Sequence, residues 1–415
     1  MRLIRLTTHY PAYIKQFYDQ RLDLKNKSYI IQYQELMADC YMWADFWTHA
    51  LGKLGYEVWE NVANAEPMQK AWARENGVSY NQKTWLTDIQ LAQVKHFQPD
   101  IIFIFDYNSF SAEFLRFLRR ECPNIKLVIG WCGAPPYGKM DVFKEFDLVL
   151  SNIPILVEQF RNSGHHSEYM CHAFEPRILD KIDKIPQQKI DFSFIGSVVK
   201  RKGLHNQREK LLNTLVAHTN LQIWANISQP SKVQKVLLPL KQELYDFIQS
   251  TKHISGLNSL YQSIPKIKAY CHESNRPSLS HYVDPSIAYR SHPSIFGVSM
   301  YQKLYESNVT LNNHIDISAK FASNMRMYEA TGIGTCLLTD WQDNLHEIFE
   351  PDVEVVTYRN AEEAVEKINY LLEHEDERQK IALAGQRRTL QSHTFEIRAQ
   401  QLSEFIQSSL RLESI

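Results

Sequence analysis

The apolar and polar positions of the chain alternate between short apolar runs and longer stretches with helical spacing. Leu3 to Thr7 and Asp100 to Asp106 have the largely apolar character of parallel strands that are buried on both faces. The segment from Trp85 to Phe97 has a helical pattern, and another helix is predicted from Ser111 to Arg120. Strands that alternate with helices in this way predict an α/β protein with a doubly wound parallel sheet.

This alternating pattern stops near Ala173 to Arg177 and begins again at Asp191 to Gly196, after a polar, lysine-rich stretch. The interruption predicts two domains and a linker. The predicted units are a first domain over 1–175, a linker over 176–190, a second domain over 191–392 and a terminal helix over 393–415. Residues 228–296 fit the pattern least well, and a connection of that length predicts an inserted helical or loop segment.

The length and composition agree with this organisation. A chain of 415 residues exceeds the size at which one hydrophobic core keeps growing. The net charge of −1 argues against a general electrostatic grip on nucleic acid, and six cysteines without CxxC spacing suggest neither a zinc site nor a disulfide framework. The N-terminus is too charged for a signal peptide, and no apolar run approaches the roughly 20 residues that span a bilayer. A soluble, cytoplasmic protein is expected.

The stretch from Ser323 to Asp340 predicts a short helix, a glycine turn and a buried strand. Ser323 or Asn324 is expected to cap the helix, because their side-chain oxygens accept hydrogen bonds from unpaired backbone N–H groups. Gly332 is expected to end it in the left-handed conformation. Amides at the helix start are suited to phosphate, and Glu329 can accept hydrogen bonds from a ribose. The stretch predicts a nucleotide or nucleotide-sugar site, and a solvated carboxylate is the structural alternative for Glu329.

Further motifs follow this stretch in order. They are Leu345-His346-Glu347-Ile348-Phe349-Glu350-Pro351, a strand that ends in Tyr358-Arg359, Ala384-Gly385, and His393-Thr394-Phe395. With Asn324-x-Arg326 and Glu329, the series resembles the carboxy-terminal half of group 1 glycosyltransferases, in particular the CgeB-like branch. The resemblance implies the GT-B fold, in which two doubly wound Rossmann-like domains face a cleft. It also implies an acceptor site on the first domain, a donor site on the second and a last helix that crosses back.

The same resemblance implies donor-binding roles for residues in three segments. Glu329 matches the glutamate that holds the donor ribose. Asn324 and Arg326 match residues beside the phosphates, where a guanidinium gives paired charge-assisted hydrogen bonds. The other implied phosphate-binding residues are Gly196, Ser197, Arg201 and Lys202 in one loop, and Asp340, Asn344 and Leu345 in another. A solvated basic turn is the alternative for the first loop, and a surface ion pair is the alternative for Arg326.

Three positions depart from the family pattern. Phe321 stands where the wider group has a glutamate that contacts the transferred sugar, so the sugar is not predicted. Ser197 replaces the usual arginine, which leaves the cationic role to Arg201 or Lys202. Asp343-Asn344 stands where the family has a pair of glycines. Glycines let the backbone approach the phosphates more closely than Asp343 and Asn344 do.

The first domain carries fewer signals. His9 follows a predicted strand and is a candidate catalytic residue, because imidazole titrates near neutrality; a structural histidine is the alternative. Asp106 follows a buried strand and is the candidate general base if the reaction inverts the anomeric centre. The sequence contains no Asp-x-Asp motif, so no essential metal and no cofactor besides the nucleotide-sugar co-substrate are expected.

The leading prediction is a metal-independent glycosyltransferase that moves a sugar from a nucleoside diphosphate to an acceptor. Two alternatives stay open, namely a nucleotide-sugar epimerase on the same fold and a non-catalytic protein that binds a nucleotide or a sugar. The expected partners are the donor and a glycan, lipid, protein or small-molecule acceptor, with no nucleic acid and no transmembrane segment. The sequence does not predict whether the reaction retains or inverts the anomeric configuration. It does not predict the oligomeric state either.

Overall fold

A computed structural model describes residues 1–136, 138, 140–185, 189–198, 206–227, 229–254, 256–272, 275–279, 282–314 and 320–412. These residues form two parallel six-stranded sheets, each flanked by helices. The prediction of two doubly wound Rossmann-like domains is therefore confirmed. Within the described ranges, no helix combines the length and apolar character needed to cross a bilayer.

The first sheet is built from strands in the amino-terminal part of the chain. They are β1 (Arg2–Thr7), β2 (Glu57–Val62), β3 (Ile101–Ile104), β4 (Leu127–Trp131), β5 (Leu148–Ser151) and β6 (Ser167–Tyr169). The accompanying helices are α1 (Pro11–Asp19), α2 (Tyr29–Ala38), α3 (Phe46–Gly52), α4 (Glu66–Glu75), α5 (Trp85–Phe97), α6 (Ala112–Glu121) and α7 (Pro154–Asn162). The strand order β2-β1-β3-β4-β5-β6 reverses between β1 and β3. The loops after these two strands therefore meet at a switch point, where open α/β sheets bind ligands.

The second sheet is built from the remaining strands. They are β7 (Ile190–Ile195), β8 (Gln222–Trp224), β9 (Ser291–His292), β10 (Ser307–Asn312), β11 (Cys336–Asp340) and β12 (Val356–Tyr358). The helices that follow β7 are α8 (Asn206–His218), α9 (Lys232–Thr251), α10 (Leu257–Ser263), α11 (Pro265–Lys268), α12 (Pro285–Tyr289), α13 (Gly297–Glu306), α14 (Met325–Ile333), α15 (Leu345–Ile348), α16 (Ala361–Glu373), α17 (Glu375–Ser392) and α18 (Phe395–Leu412). The order β12-β11-β10-β7-β8-β9 places this switch point between β10 and β7.

Helices α9 to α12 lie between β8 and the short edge strand β9, in the segment that departs from the strand–helix pattern. The long helix α9 starts with a capping box, because Ser231 accepts from the Gln234 amide and the Gln234 side chain accepts from the Ser231 amide. On its inner side Tyr245 and Ile248 are buried. This segment, here called the helical insertion, is therefore ordered by local caps and a small buried side.

The last helix, α18, packs on the first domain. The Phe395 ring lies 5.0 Å from the Phe46 ring and 5.2 Å from the Trp47 ring. The hydroxyls of Tyr56 and Ser403 are hydrogen-bonded at 2.9 Å. Burying a phenylalanine side chain of this kind contributes about 1.5–3 kcal/mol. The terminal helix thereby joins the hydrophobic cores of the two domains.

The predicted boundaries of α14 need correction at both ends. Gly332 does not end the helix; Gly334 does, with a left-handed φ of 92°. Gly332 is helical and packs against Phe174, whose Cγ would lie 2.2 Å from an added Cβ. Asn324 is the N-cap residue, but its side chain makes no capping hydrogen bond. The predicted cap is thus wrong, and so is the predicted end of the helix.

Candidate functional site

Glu329 and Arg326 form an ion pair on α14. The Arg326 Nη1 lies 2.8 Å from Oε2 of Glu329, one helical turn away. Glu329 is 5% exposed, and its Oε1 accepts a hydrogen bond of 3.4 Å from the Tyr301 hydroxyl. The Nε of Arg326 is buried and has no partner among the residues that the structure describes. A guanidinium with an unused, buried N–H is suited to an anion.

Tyrosines from both domains surround this pair. Burial, followed by the Glu329 carboxylate, raises the pKa of Tyr301 well above its ordinary value. Burial also raises the pKa of Tyr41 in the first domain, with further contributions from Tyr10 and Glu329. Tyr41 belongs to the first domain and Glu329 to the second, so the ion pair lies near the boundary between the two domains.

A cavity of about 640 Å³, here called the cleft cavity, opens between the domains. One wall is α1, and the other is formed by the loops after β8 and β9 and by Phe296. The Phe296 ring lies 5.5 Å from the Tyr41 ring, which connects the cavity to the tyrosines around Glu329. Gln16 of α1 donates a hydrogen bond of 3.1 Å to the Ser294 carbonyl across the opening. Ligand pockets in proteins have volumes of roughly 300–1,000 Å³, so the cleft cavity is of suitable size.

The switch point of the second sheet contains three of the predicted phosphate-binding residues. Asn324 Nδ2 donates to Oδ1 of Asn312 at 2.9 Å and to the Asn313 carbonyl at 3.1 Å, so its donors already anchor α14 to the end of β10. Gly196 directly follows β7, and Ser197 is exposed beside it. A phosphate contact from these three residues stays a prediction. Arg201 and Lys202 lie outside the described residues.

Arg208 on α8 forms hydrogen bonds with the segments that follow β7 and β10 at the same switch point. Its Nη1 donates to the Ser197 carbonyl at 2.9 Å, and its Nη2 donates to the Asn313 carbonyl. The side chain thus joins the ends of β7 and β10. The helical pattern of α8 gave no indication of this role, because both acceptors are backbone groups of other segments.

Asp340 lies in a different cavity of about 780 Å³, here called the strand-end cavity. His314 follows β10, and its Nδ1 lies 2.8 Å from Oδ1 of Asp340, while its backbone N–H donates to the same oxygen at 3.0 Å. Burial alone would raise the pKa of Asp340, but the charge and hydrogen bonds of His314 hold it below its ordinary value. The linings of the two cavities share no residue, so the structure separates Asp340 from the cleft cavity. His314 was missed, although polar residues directly after a predicted strand are a usable signal.

Asn344 and Leu345 are buried within the loop that follows β11. Asn344 Oδ1 accepts a hydrogen bond of 2.7 Å from the Ala322 amide. The Leu345 amide donates to the Gln342 carbonyl at 3.1 Å. The buried Nδ2 of Asn344 has no partner among the described residues, and the contact of Asn344 and Leu345 with a diphosphate stays a prediction.

His9 follows β1 at the switch point of the first sheet. Its ring packs edge-on against Tyr13 and Tyr41, with centroid distances of 5.4 Å and 5.0 Å. Both ring nitrogens are buried and lack a partner in the described part of the chain. Burial, and then the charge of Arg5, lower the pKa of His9 to about 3. His9 is therefore neutral at physiological pH, and its predicted catalytic role stays a prediction.

Asp106 follows β3 on the other side of that switch point. Its Oδ2 accepts hydrogen bonds of 2.5 Å from the hydroxyls of Thr8 and Ser109, and its Oδ1 accepts one of 3.1 Å from the Asn108 amide. The carboxylate thus ties the loops after β1 and β3 together. Its predicted role as the general base stays a prediction.

Another contact joins the two domains beside α14. Asn152 follows β5 in the first domain, and its Nδ2 donates to the Ser323 carbonyl at 2.6 Å. The Oδ1 of Asn152 is buried and lacks a partner within the described ranges. The residue was not among the sequence candidates. In the same described ranges, no group of three or more His, Cys, Asp or Glu side chains could hold a metal ion, and metal independence stays a prediction.

The unprotonated state of His9 predicts an effect of pH on stability. The unfolded chain takes up a proton near its ordinary pKa of 6.5, whereas folded His9 does so only near 3. The free energy of unfolding should therefore fall as the pH drops from 6.5 towards 3, by up to about 1.4 kcal/mol per pH unit from this group. Urea unfolding across this range should show a shallower slope for His9→Asn. His346→Asn, at an exposed position, should keep the native slope, and an equal slope for His9→Asn would contradict the prediction.

Comparisons with known proteins bear on the fold and the site. A family model described as Glycosyl transferase-like matches residues 244–404, which include Arg326, Glu329 and strands β10 to β12. No protein of curated function matches the chain significantly.

Solved structures match nearly the whole chain. Anabaena Alr3699/HepE in complex with UDP-glucose is similar at 11% identity and a TM-score of 0.54, over 98% of this chain and 100% of that one. Sucrose-phosphate synthase from Thermosynechococcus elongatus is similar at 10% identity and a TM-score of 0.52, over 98% of both chains. A glycosyltransferase from Rickettsia africae ESF-5 is similar at 8% identity and a TM-score of 0.51, over 99% and 98%. The fold is GT-B.

The GT-B fold confirms the architecture that the sequence resemblance implied. At these identities the structural likeness concerns the fold alone. The ion pair of Glu329 and Arg326 lies within the matched segment, and the Arg326 Nε is buried without a partner in the described residues, so these two residues are candidates for ligand contact. Residues of the first domain lie outside the family match.

Proposed function

We propose that this protein is a glycosyltransferase of the CgeB-like branch that uses a nucleoside diphosphate sugar and needs no metal ion. One observation carries the proposal: a buried carboxylate–guanidinium pair with an unused N–H lies on α14, within the segment that matches the Glycosyl transferase-like model. The solved complex of Anabaena Alr3699/HepE with UDP-glucose supports this donor class, because that protein has the same fold.

In this proposal the nucleoside occupies the cleft cavity. The exposed His292 ring, which stacks on Trp224 at a centroid distance of 4.8 Å, offers a flat surface to a base. Glu329 accepts hydrogen bonds from the ribose, and Arg326 and the first amides of α14 offset charge on the diphosphate. The bond between the anomeric carbon and the diphosphate oxygen breaks, and its electron pair leaves with the diphosphate. The acceptor oxygen bonds to that carbon and gives its proton to a base, for which His9 and Asp106 are the candidates.

A nucleotide panel tests this function. We expect at least one nucleoside diphosphate to raise the melting temperature, because a ligand at 100 times its Kd stabilises the folded state by about 2.7 kcal/mol. The sugar derivative of that nucleotide should release the nucleoside diphosphate when a mixed acceptor pool is added. No thermal shift with any nucleotide would contradict the proposal. A shift without turnover would favour the binding protein, and isomerisation of the sugar without transfer would favour the epimerase.

A further inference from the structure

The outer side of α9 carries an apolar stripe that nothing in the described structure covers. Its members are between 39% and 72% exposed, and they are Val233, Val236, Leu237, Leu240, Leu244 and Phe247. At 3.6 residues per turn these six positions fall within about 100° of the helix circumference. Large apolar side chains that are scattered singly over a surface need no explanation, but a continuous row marks a contact surface.

The part of α9 that packs inside the protein lies directly beside this stripe on the helix circumference. Tyr245 and Ile248 are buried, and Gln249 Nε2 donates to the Tyr270 carbonyl at 2.7 Å. These positions hold α9 against the rest of the helical insertion. The apolar sector of the helix is thus wider than the part that packs inside the described protein. The adjoining segment adds further exposed apolar side chains, namely Ile254, Leu260 and Ile264.

The charge of the insertion indicates what covers the stripe. The insertion, residues 232–289, contains seven basic and four acidic residues, whereas the whole chain has 46 basic and 47 acidic residues. One of the four carboxylates, Asp246, is paired with Arg276 at 2.9 Å. On the helix circumference Lys232 and Glu243 border the stripe on one side, and Lys241 borders it on the other. Lysines beside an apolar helix face are typical of helices that lie in the interface of an anionic bilayer.

We infer that α9 docks the protein on the surface of a membrane that contains anionic lipids. The six apolar side chains enter the boundary between headgroups and acyl chains, and the lysines contact lipid phosphates. The helix lies on the membrane and does not span it. Gln229, three residues before α9, lines the cleft cavity, so docking holds the mouth of the cleft close to the lipid surface. This inference does not depend on the proposed function.

Vesicle sedimentation of the full-length protein tests the inference. We expect the protein to sediment with phosphatidylcholine vesicles that contain phosphatidylglycerol, and much less with phosphatidylcholine alone or at high salt. Leu240→Glu and Phe247→Glu should each weaken sedimentation about tenfold or more, because each removes one apolar anchor. Lys232→Gln and Lys241→Gln should each weaken binding to the anionic vesicles about fivefold.

Leu383→Glu is the matched control, since Leu383 is 60% exposed and Leu240 is 59% exposed, but Leu383 lies on α17. It should sediment like the unchanged protein, and all variants should keep the native melting temperature because the altered positions are exposed. Failure to sediment with anionic vesicles at low salt would overturn the inference. Equal sedimentation of Leu240→Glu would do so as well. A dimer in light scattering that Leu240→Glu dissociates would assign the stripe to a second copy of the chain instead.

Discussion

Glu329→Gln is expected to weaken nucleotide binding and sugar transfer by about tenfold to a hundredfold. Hydrogen bonds to a charged group contribute about 1.5–3 kcal/mol, and glutamine keeps the size of the side chain while it removes the charge that holds a ribose. The variant also releases Arg326, whose Nη1 lies 2.8 Å from Glu329. Titration calorimetry with the nucleotide that stabilises the protein, and initial rates with its sugar, measure the two effects.

Glu306→Gln is the control for this experiment. Glu306 and Glu329 are each 5% exposed, and each pairs with a basic residue three positions earlier, Lys303 or Arg326. Glu306 precedes β10, at the opposite end of the strand from the switch point. Its replacement should leave nucleotide affinity unchanged. If Glu329→Gln also binds normally, the carboxylate does not contact the donor and the proposed site is wrong.

Arg5→Met is expected to lower the free energy of unfolding by about 3–5 kcal/mol. Arg5 on β1 pairs with Glu60 on β2, and their side chains are 1% and 0% exposed. Arg5 Nη2 also donates to the Ala44 carbonyl at 3.2 Å, and Glu60 accepts from the Thr48 amide at 3.2 Å. Removal of the cation leaves the Glu60 carboxyl inside the core without its charge partner. Urea unfolding measures the loss.

The strand pair supplies its own control, because Arg2 and Glu57 lie opposite each other on the same two strands at the exposed end. Arg2→Met should cost less than about 1 kcal/mol. The double change Arg5→Met with Glu60→Leu should recover most of the loss, since an apolar pair needs no charge compensation. A loss for Arg5→Met no larger than that for Arg2→Met would contradict the prediction.

The pH dependence of Arg5→Met follows from the same pair. Burial raises the pKa of Glu60 to about 7, although Arg5 opposes the rise. Without Arg5 the pKa lies higher still, so below about pH 7 the carboxyl is protonated in both folded proteins. As the pH rises through 7, Glu60 ionises beside Arg5 in the unchanged protein. In the variant it stays protonated inside the core. The stability deficit of the variant should therefore grow above pH 7.

Local patterns predicted the architecture and one part of the site. The largely apolar strands and the glycines at the end of α14 are features of neighbouring residues, and the motif around Glu329 lies within one helix. The helix end was misplaced by two residues because Gly332 and Gly334 carry the same local signal. Only the packing of Phe174 against Gly332 distinguishes them.

The contacts that assemble the cleft were not predictable in this way. Asn152 reaches the Ser323 carbonyl across 171 positions of sequence, and Tyr41 approaches Glu329 from another domain. Arg208 binds backbone carbonyls, which every sequence offers at every position. Such contacts depend on how the two sheets are oriented relative to each other. The hydrophobic periodicity of a single sequence does not report that orientation.

The chain crosses between the domains twice, and the two crossings are tied together. The Phe174 amide donates to the His393 carbonyl at 2.8 Å, and the Phe395 amide donates to the Phe174 carbonyl at 3.1 Å. We expect Phe174 to be the pivot of any closure of the domains on each other, because both crossings are held together at this residue. The hydrogen bond between Gln16 and Ser294 joins the two walls of the cleft cavity, and its loss on opening would cost a net of about 0.5–1.5 kcal/mol.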